Sequence, residues 1–192
     1  MMTYYRTDDQ VIHEEEKLSD GVWVQMINPT HDECEEIAEK LMVDIDDVKA
    51  ALDVEESSRI ELQDGYTLIL VDIPSIEERN GKDWFVTIPM AIITTKDMLI
   101  TVCLEETPVL TAFMDGRVRD FHTFMKTRFI LQILYKNATQ YLQYLRIIDK
   151  KSEVIENKLH QSQKNEELIE LLELQKSLVY FTTSLRSNEA VL

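Results

Sequence analysis

The 192-residue sequence reads as an α/β chain, a sheet with helices against it, followed by a long helical hairpin. Three features carry that reading. A hydrophobic fraction of 44% beside 29% charged residues is the balance of a globular chain, long enough to bury a sizeable core. Up to about residue 106, short runs of strand formers alternate with short amphipathic stretches. From about Phe121 the apolar residues switch to alternating three- and four-residue spacing, the signature of a helical seam. We therefore expect a mixed α/β domain over 1–120 and long antiparallel helices over 121–192.

Gly21 to Met26 is the first expected strand, ended by Asn28-Pro29. Thr30 and Glu33 form a capping box for a helix whose inward stripe is Cys34, Ile37, Ala38 and Leu41. Asp44 is placed to cap a second short helix, with Ile45, Val48 and Leu52 on its buried side. Arg59 to Leu62 and Tyr66 to Ile73 read as a hairpin, because Asp64-Gly65 between them supplies the positive φ such a turn requires. A polar loop over Glu77 to Asp83 then leads to a strand over Trp84 to Thr94. Pro89 assigns that strand an edge position or a bulge, since proline donates no ladder bond. Met98 to Cys103 completes a sheet of at least five strands. Thr107-Pro108 starts a short helix ending near Gly116. The first long helix carries a seam of Leu131, Leu134, Ala138, Tyr141, Leu145, Ile148, Ser152, Ile155 and Leu159, and a turn is expected from His160 to Asn165. The second carries Leu171, Leu174, Leu178, Phe181, Leu185, Asn188 and Leu192. No glycine, proline or basic last turn stops it, so we expect the sequence to be part of a longer chain.

Composition removes several functions. Four dispersed glycines leave no Walker A loop and no dinucleotide fingerprint, whose backbone amides approach phosphate only where Cβ atoms are absent. The net charge is −16, and Asp8 to Asp64 holds nineteen acids against four basic residues. Nucleic acid binding, which neutralises phosphates with clustered Lys and Arg, is not expected; divalent cations suit this surface better. Cys34 and Cys103 match neither a metal clip nor a disulfide framework and point to a reducing compartment. The first residues lack the basic and apolar regions of a secretory signal, and the longest apolar runs fall far short of the ~18–20 residues that cross hydrocarbon.

Catalytic chemistry finds no foothold. The histidines His13, His31, His122 and His160 are scattered; His31 and Glu35 stand one helical turn apart, two ligands where a structural zinc needs four. No nucleophile elbow occurs, and the chain is not expected to be an enzyme. Asp44-Ile45-Asp46-Asp47 opens like a calcium loop, but the glycine and the bidentate glutamate of an EF-hand are missing. The acids Asp44, Asp46, Asp47, Asp53, Glu55 and Glu56 still crowd one short segment. Mg²⁺ keeps several of its waters, so one or two carboxylates per subunit suffice when another chain supplies the rest.

In order, Trp23-Val24, Asn28-Pro29-Thr30 with Glu33, Ala51 to Glu61, Leu68 to Pro74, Leu99 to Val102, Asn165 to Leu168 and Leu178 to Asn188 resemble the amino-terminal cytoplasmic domain of CorA-like magnesium transporters. The resemblance covers nearly the whole chain. It implies an α/β/α domain on the cytoplasmic side of the cell membrane, leading through a stalk helix into two membrane helices with a Gly-Met-Asn pore signature; none of these is in the sequence. It also implies a homopentamer gated by divalent ions between neighbouring domains, with membrane contact only through the absent carboxy-terminal part. The aspartate that serves as one such ligand in the family falls at Ala50 here, beside Lys49, and Asp46, Asp47 and Asp53 are the neighbouring carboxylates for a regulatory Mg²⁺. The alternative is a free-standing cytosolic scaffold whose hairpin binds a partner coiled coil.

Overall fold

The computed structural model describes residues 1–9, 11–79, 81–161 and 165–192. Seven strands form one sheet: β1 (Met2–Asp8), β2 (Val11–Glu15), β3 (Trp23–Ile27), β4 (Arg59–Leu62), β5 (Tyr66–Arg79), β6 (Lys82–Thr95) and β7 (Leu99–Cys103). Their spatial order is β2-β1-β3-β7-β6-β5-β4, and only β3 and β7 run parallel, so the sheet is mixed. The helices are α1 (His31–Leu41), α2 (Ile45–Lys49), α3 (Pro108–Met114), α4 (Lys126–Gln161) and α5 (Asn165–Glu189), with a 3₁₀ turn at Ala50–Leu52. Helix α4 contains 36 residues, about 54 Å of helix.

Alternate strand residues feed two cores. On one face Val24, Met26, Leu68, Leu70 and Ile100 bury Cys34, Ile37 and Ala38 of α1 and Val48 of α2. On the other, Trp23, Val71, Ile73 and Leu99 meet α3 and the first turns of α4 through Phe113, Phe129 and Ile133. Trp23 is fully buried, with ring centroids of Tyr5 at 5.2 Å, Phe129 at 5.1 Å, Phe121 at 6.3 Å and Phe113 at 6.4 Å. Its indole N–H donates to Thr101 Oγ1 at 2.9 Å, so the polar end of the ring is satisfied. Gly21 precedes this strand at φ +79°, where an added Cβ would meet Phe124 Cβ at 3.0 Å; both the backbone and the close approach call for glycine.

The capping box forms as expected: Thr30 Oγ1 accepts from the Glu33 N–H at 3.2 Å and Glu33 Oε2 from the Thr30 N–H at 2.8 Å. Asp44 caps α2 by accepting from the Asp46 N–H at 2.9 Å, and Gly65 turns the β4–β5 hairpin at φ +89°.

Four expectations change. The first fifteen residues contain β1 and β2, a hairpin joined to the sheet by pairing of β1 with β3 and further tied by Thr7 and Thr123, whose hydroxyls accept each other's backbone N–H. The expected polar loop is mostly strand: pairing continues to Arg79 opposite Lys82, with residue 80 outside the described residues. Pro89 lies in an interior strand, but β7 pairs only with Met90–Thr94, so the position is an edge locally and no ladder bond is lost there. The heptad seam is split. Tyr141, Ile148 and Ile155 are buried with Tyr144, and Leu174, Phe181 and Asn188 with Ser177 and Ser184, whereas Leu131, Ala138, Leu178, Leu185 and Leu192 lie on the exposed side. The reason is that the hairpin packs on the sheet as well as on itself: Phe85 of β6 enters its core, 5.6 Å from Tyr144. That contact rotates the buried stripe by about one residue. The expected turn after His160 falls largely on 162–164, outside the described residues.

Candidate functional site

Helix α2 and the 3₁₀ turn carry the acidic segment over one face of the sheet, the turn against β6 and β7 and α2 bonded to Tyr66 at the start of β5. Val48, Ala50 and Ala51 are buried and anchor it, which turns Asp44, Asp46, Asp53 and Glu55 to the exposed side. Asp47 is half-buried and accepts from the Tyr66 hydroxyl at 2.5 Å, and that hydroxyl also accepts from the Asp44 N–H at 3.2 Å. Burial first, and the bond to Asp47 second, push the Tyr66 phenol up to about 12. Asp53 closes its own turn by accepting from the Glu55 N–H at 3.0 Å.

The nearby cations are distributed unevenly. Arg59 is engaged by Glu56 and by Glu61. Among the described residues Asp46, Asp47 and Asp53 form no ion pair, although Lys49 shares α2 with the first two. The three carboxylates share one segment, but no group of three or more His, Cys, Asp or Glu side chains that could hold a metal ion occurs among the described residues. Exposed apolar side chains flank the segment in sequence: Met42 is 86% exposed, Val54 64% and Leu62 83%. His31 and Glu35 pair at 3.0 Å on the exposed face of α1 and bring no third ligand.

Just after the acidic segment, Ser58 connects it to the end of α5. The Ser58 N–H donates to Ser187 Oγ at 3.2 Å, and its hydroxyl donates to Asn188 Oδ1 at 2.8 Å. Asn188 in turn treats Asp72 of β5 as a neighbouring strand would: Oδ1 accepts from the Asp72 N–H and Nδ2 donates to the Asp72 carbonyl, both at 2.8 Å. Strand β4 starts at Arg59 opposite Leu70, so the Asp72 peptide groups lie beyond its end and have no strand partner on that side. Asn137 Nδ2 at 2.9 Å and the Tyr141 hydroxyl at 3.2 Å reach the same carbonyl from α4. The sequence marked Asn188 only as a polar break in an apolar seam. A buried asparagine at a seam position signals a specific polar contact, but not the strand edge it completes.

Described helices include none long and apolar enough to cross a membrane. The profile of the family described as CorA-like Mg²⁺ transporter protein matches residues 19–192. The cobalt/magnesium transport protein CorA of Methanocaldococcus jannaschii is 24% identical over 193 residues, covering 96% of this chain; the chain spans 57% of the length of that protein. The complete structure of the M. jannaschii CorA magnesium transporter superimposes with a TM-score of 0.85 at 21% identity, over 100% of this chain and 61% of that one. The structure of the CorA soluble domain from the same organism gives 0.83 at 22% identity, over 98% and 76%. The α/β/α architecture with its helical hairpin is therefore that of the CorA soluble domain, and the chain belongs to the CorA-like Mg²⁺ transporter family.

Proposed function

We propose that this chain is the divalent-cation-sensing regulatory part of a CorA-like Mg²⁺ channel, does not itself conduct, and acts as one subunit of a homo-oligomer on the cytoplasmic side of the cell membrane. The observation that carries the reading is the set Asp46, Asp47 and Asp53: three carboxylates without ion-pair partners among the described residues, on a segment fixed by a helix cap and a buried apolar side. Carboxylates brought face to face by two subunits repel, and a divalent ion between them reverses the sign of that interaction. Mg²⁺ prefers carboxylate oxygen and retains water, so these groups and carboxylates of a neighbouring subunit together make a site that one subunit lacks. The exposed Met42, Val54 and Leu62 supply apolar surface for such a neighbour to cover. The network from Ser58 through Asn188 then offers a route from ion occupancy to α5.

Calorimetric titration with MgCl₂ tests the site. We expect weak binding that disappears when Asp46, Asp47 and Asp53 are replaced together by Asn; identical heats from both proteins would remove it. The exposed row Leu131, Ala138, Leu178 and Leu185 favours a second reading, a scaffold for a partner helix. That reading predicts partner binding indifferent to Mg²⁺ and to the three substitutions.

A further inference from the structure

The chain carries a −16 charge, yet four lysines gather around one trough. The trough runs between α4 and α5 under the tip of the β5–β6 hairpin and has a volume of about 530 Å³, within the range of small-ligand pockets. Its apolar lining is Ile147, Val154, Ile155 and Leu174. Lys82, Lys150, Lys151 and Lys158 stand around it, together with the acids Asp83, Glu170 and Glu173. Two of the lysines are already engaged. Lys82 pairs with Glu170 at 3.2 Å and Lys151 with Asp83 at 2.9 Å, which ties the hairpin tip over the two helices. Lys150 and Lys158, both exposed on the α4 wall, have no acidic partner among the described residues. Trp84 closes one end of the trough, with the Arg79 guanidinium 4.7 Å from its ring centroid.

We propose that this trough binds a small amphipathic anion, a long-chain carboxylate whose hydrocarbon lies along the Ile147, Val154 and Leu174 wall and whose head group is held by Lys158 at the end of that wall, with Lys150, about 12 Å back along the helix, adding positive potential beside the chain. The wall from Ile147 to Lys158 extends about 16 Å along α4, which suits an extended chain better than a compact ring. Lysine offers a point charge on a flexible stem, enough for a carboxylate. A nucleotide would call for a phosphate cradle of backbone amides or a bidentate arginine, and the trough is lined by neither. The site shares no residue with the acidic segment of α2, so this inference stands or falls independently of cation sensing.

The two tryptophans make the test direct. Trp23 is sealed in the core, so a ligand in the trough acts on the emission of Trp84. Sodium laurate, titrated below its micelle concentration, is expected to change that emission saturably. In Lys150→Glu/Lys158→Glu, two exposed positions whose exchange is expected to leave the circular dichroism unchanged, half-saturation should rise about tenfold. The neutral amphiphile dodecyl maltoside should produce no saturable change below micelles. Absence of a saturable response to laurate, an equal response in the double variant, or equal binding of the neutral amphiphile overturns the proposal. Cosedimentation with phosphatidylglycerol vesicles without a response to free laurate also overturns it, in favour of a membrane-surface contact.

Discussion

Substituting leucine for Asn188 keeps much of the side-chain volume and removes both ends of the amide. The Asp72 N–H then loses its acceptor at 2.8 Å, and no strand lies on that side to replace it. An orphaned buried donor costs about 1–3 kcal/mol. The Ser58 hydroxyl also loses its acceptor, at a net cost of about 0.5–1.5 kcal/mol because it lies close enough to the surface to recover water. The Asp72 carbonyl loses least, since Asn137 and Tyr141 still donate to it. Together these give a loss of about 2–4 kcal/mol, or about 5–12 °C in Tm for a chain of this length. Urea denaturation followed by circular dichroism measures it, with an unchanged m-value showing that the folded and unfolded states keep their compactness. Asn137→Leu is the comparison. It removes one of three donors from the same carbonyl and also eliminates a buried Oδ1 that has no hydrogen-bond partner, so its cost should stay under about 1 kcal/mol. If Asn188→Leu costs no more than Asn137→Leu, the strand-completing role of Asn188 is refuted.

Trp23→Ala should destabilise the chain by about 3–5 kcal/mol, measured in the same denaturation experiment, because it empties the centre of an aromatic cluster and leaves the Thr101 hydroxyl without its donor. Thr30→Ala, which removes one half of the capping box of α1, should cost about 0.5–2 kcal/mol by the same measurement. Tyr66 governs an alkaline transition. Its phenol retains the proton to about 12 in the folded chain against an ordinary value of 10.0, so this contribution to stability is complete below pH 10.0 and is lost as the pH rises toward about 12. Urea midpoints recorded across that window should therefore fall less steeply for Tyr66→Phe than for the parent chain.

Local chemistry made much of the fold legible in the sequence. Thr30 with Glu33, Asp44, and Asp64-Gly65 each act within a few residues, and each stands where its spacing placed it. Long-range pairing was harder to see. Met2 to Glu15 is rich in Thr, Tyr and acids without a clear alternation of apolar residues, because β2 is an edge strand and β1, between β2 and β3, is mostly half-buried. Glu77 to Asp83 is polar because the end of the β5–β6 hairpin is exposed, and polarity alone does not separate such a strand from a loop. The seam periodicity in α4 and α5 was correct, but a heptad pattern does not say which of its rows faces inward. Phe85, more than forty residues before α4 begins, settles that. The acidic segment was likewise visible as composition. The bond from Tyr66 to Asp47 and the connection of Ser58 to Asn188 depend on residues brought together only by the sheet.

Hydrogen exchange across residues 44–58 and 184–189, recorded with MgCl₂ and with NaCl of equal ionic strength, bears most directly on cation sensing. The account predicts that Mg²⁺ slows exchange in the first segment and, through Ser58 and Asn188, in the second, and that replacing Asp46, Asp47 and Asp53 by Asn abolishes both effects. Equal exchange in the two salts, or the same slowing in the substituted chain, would contradict it.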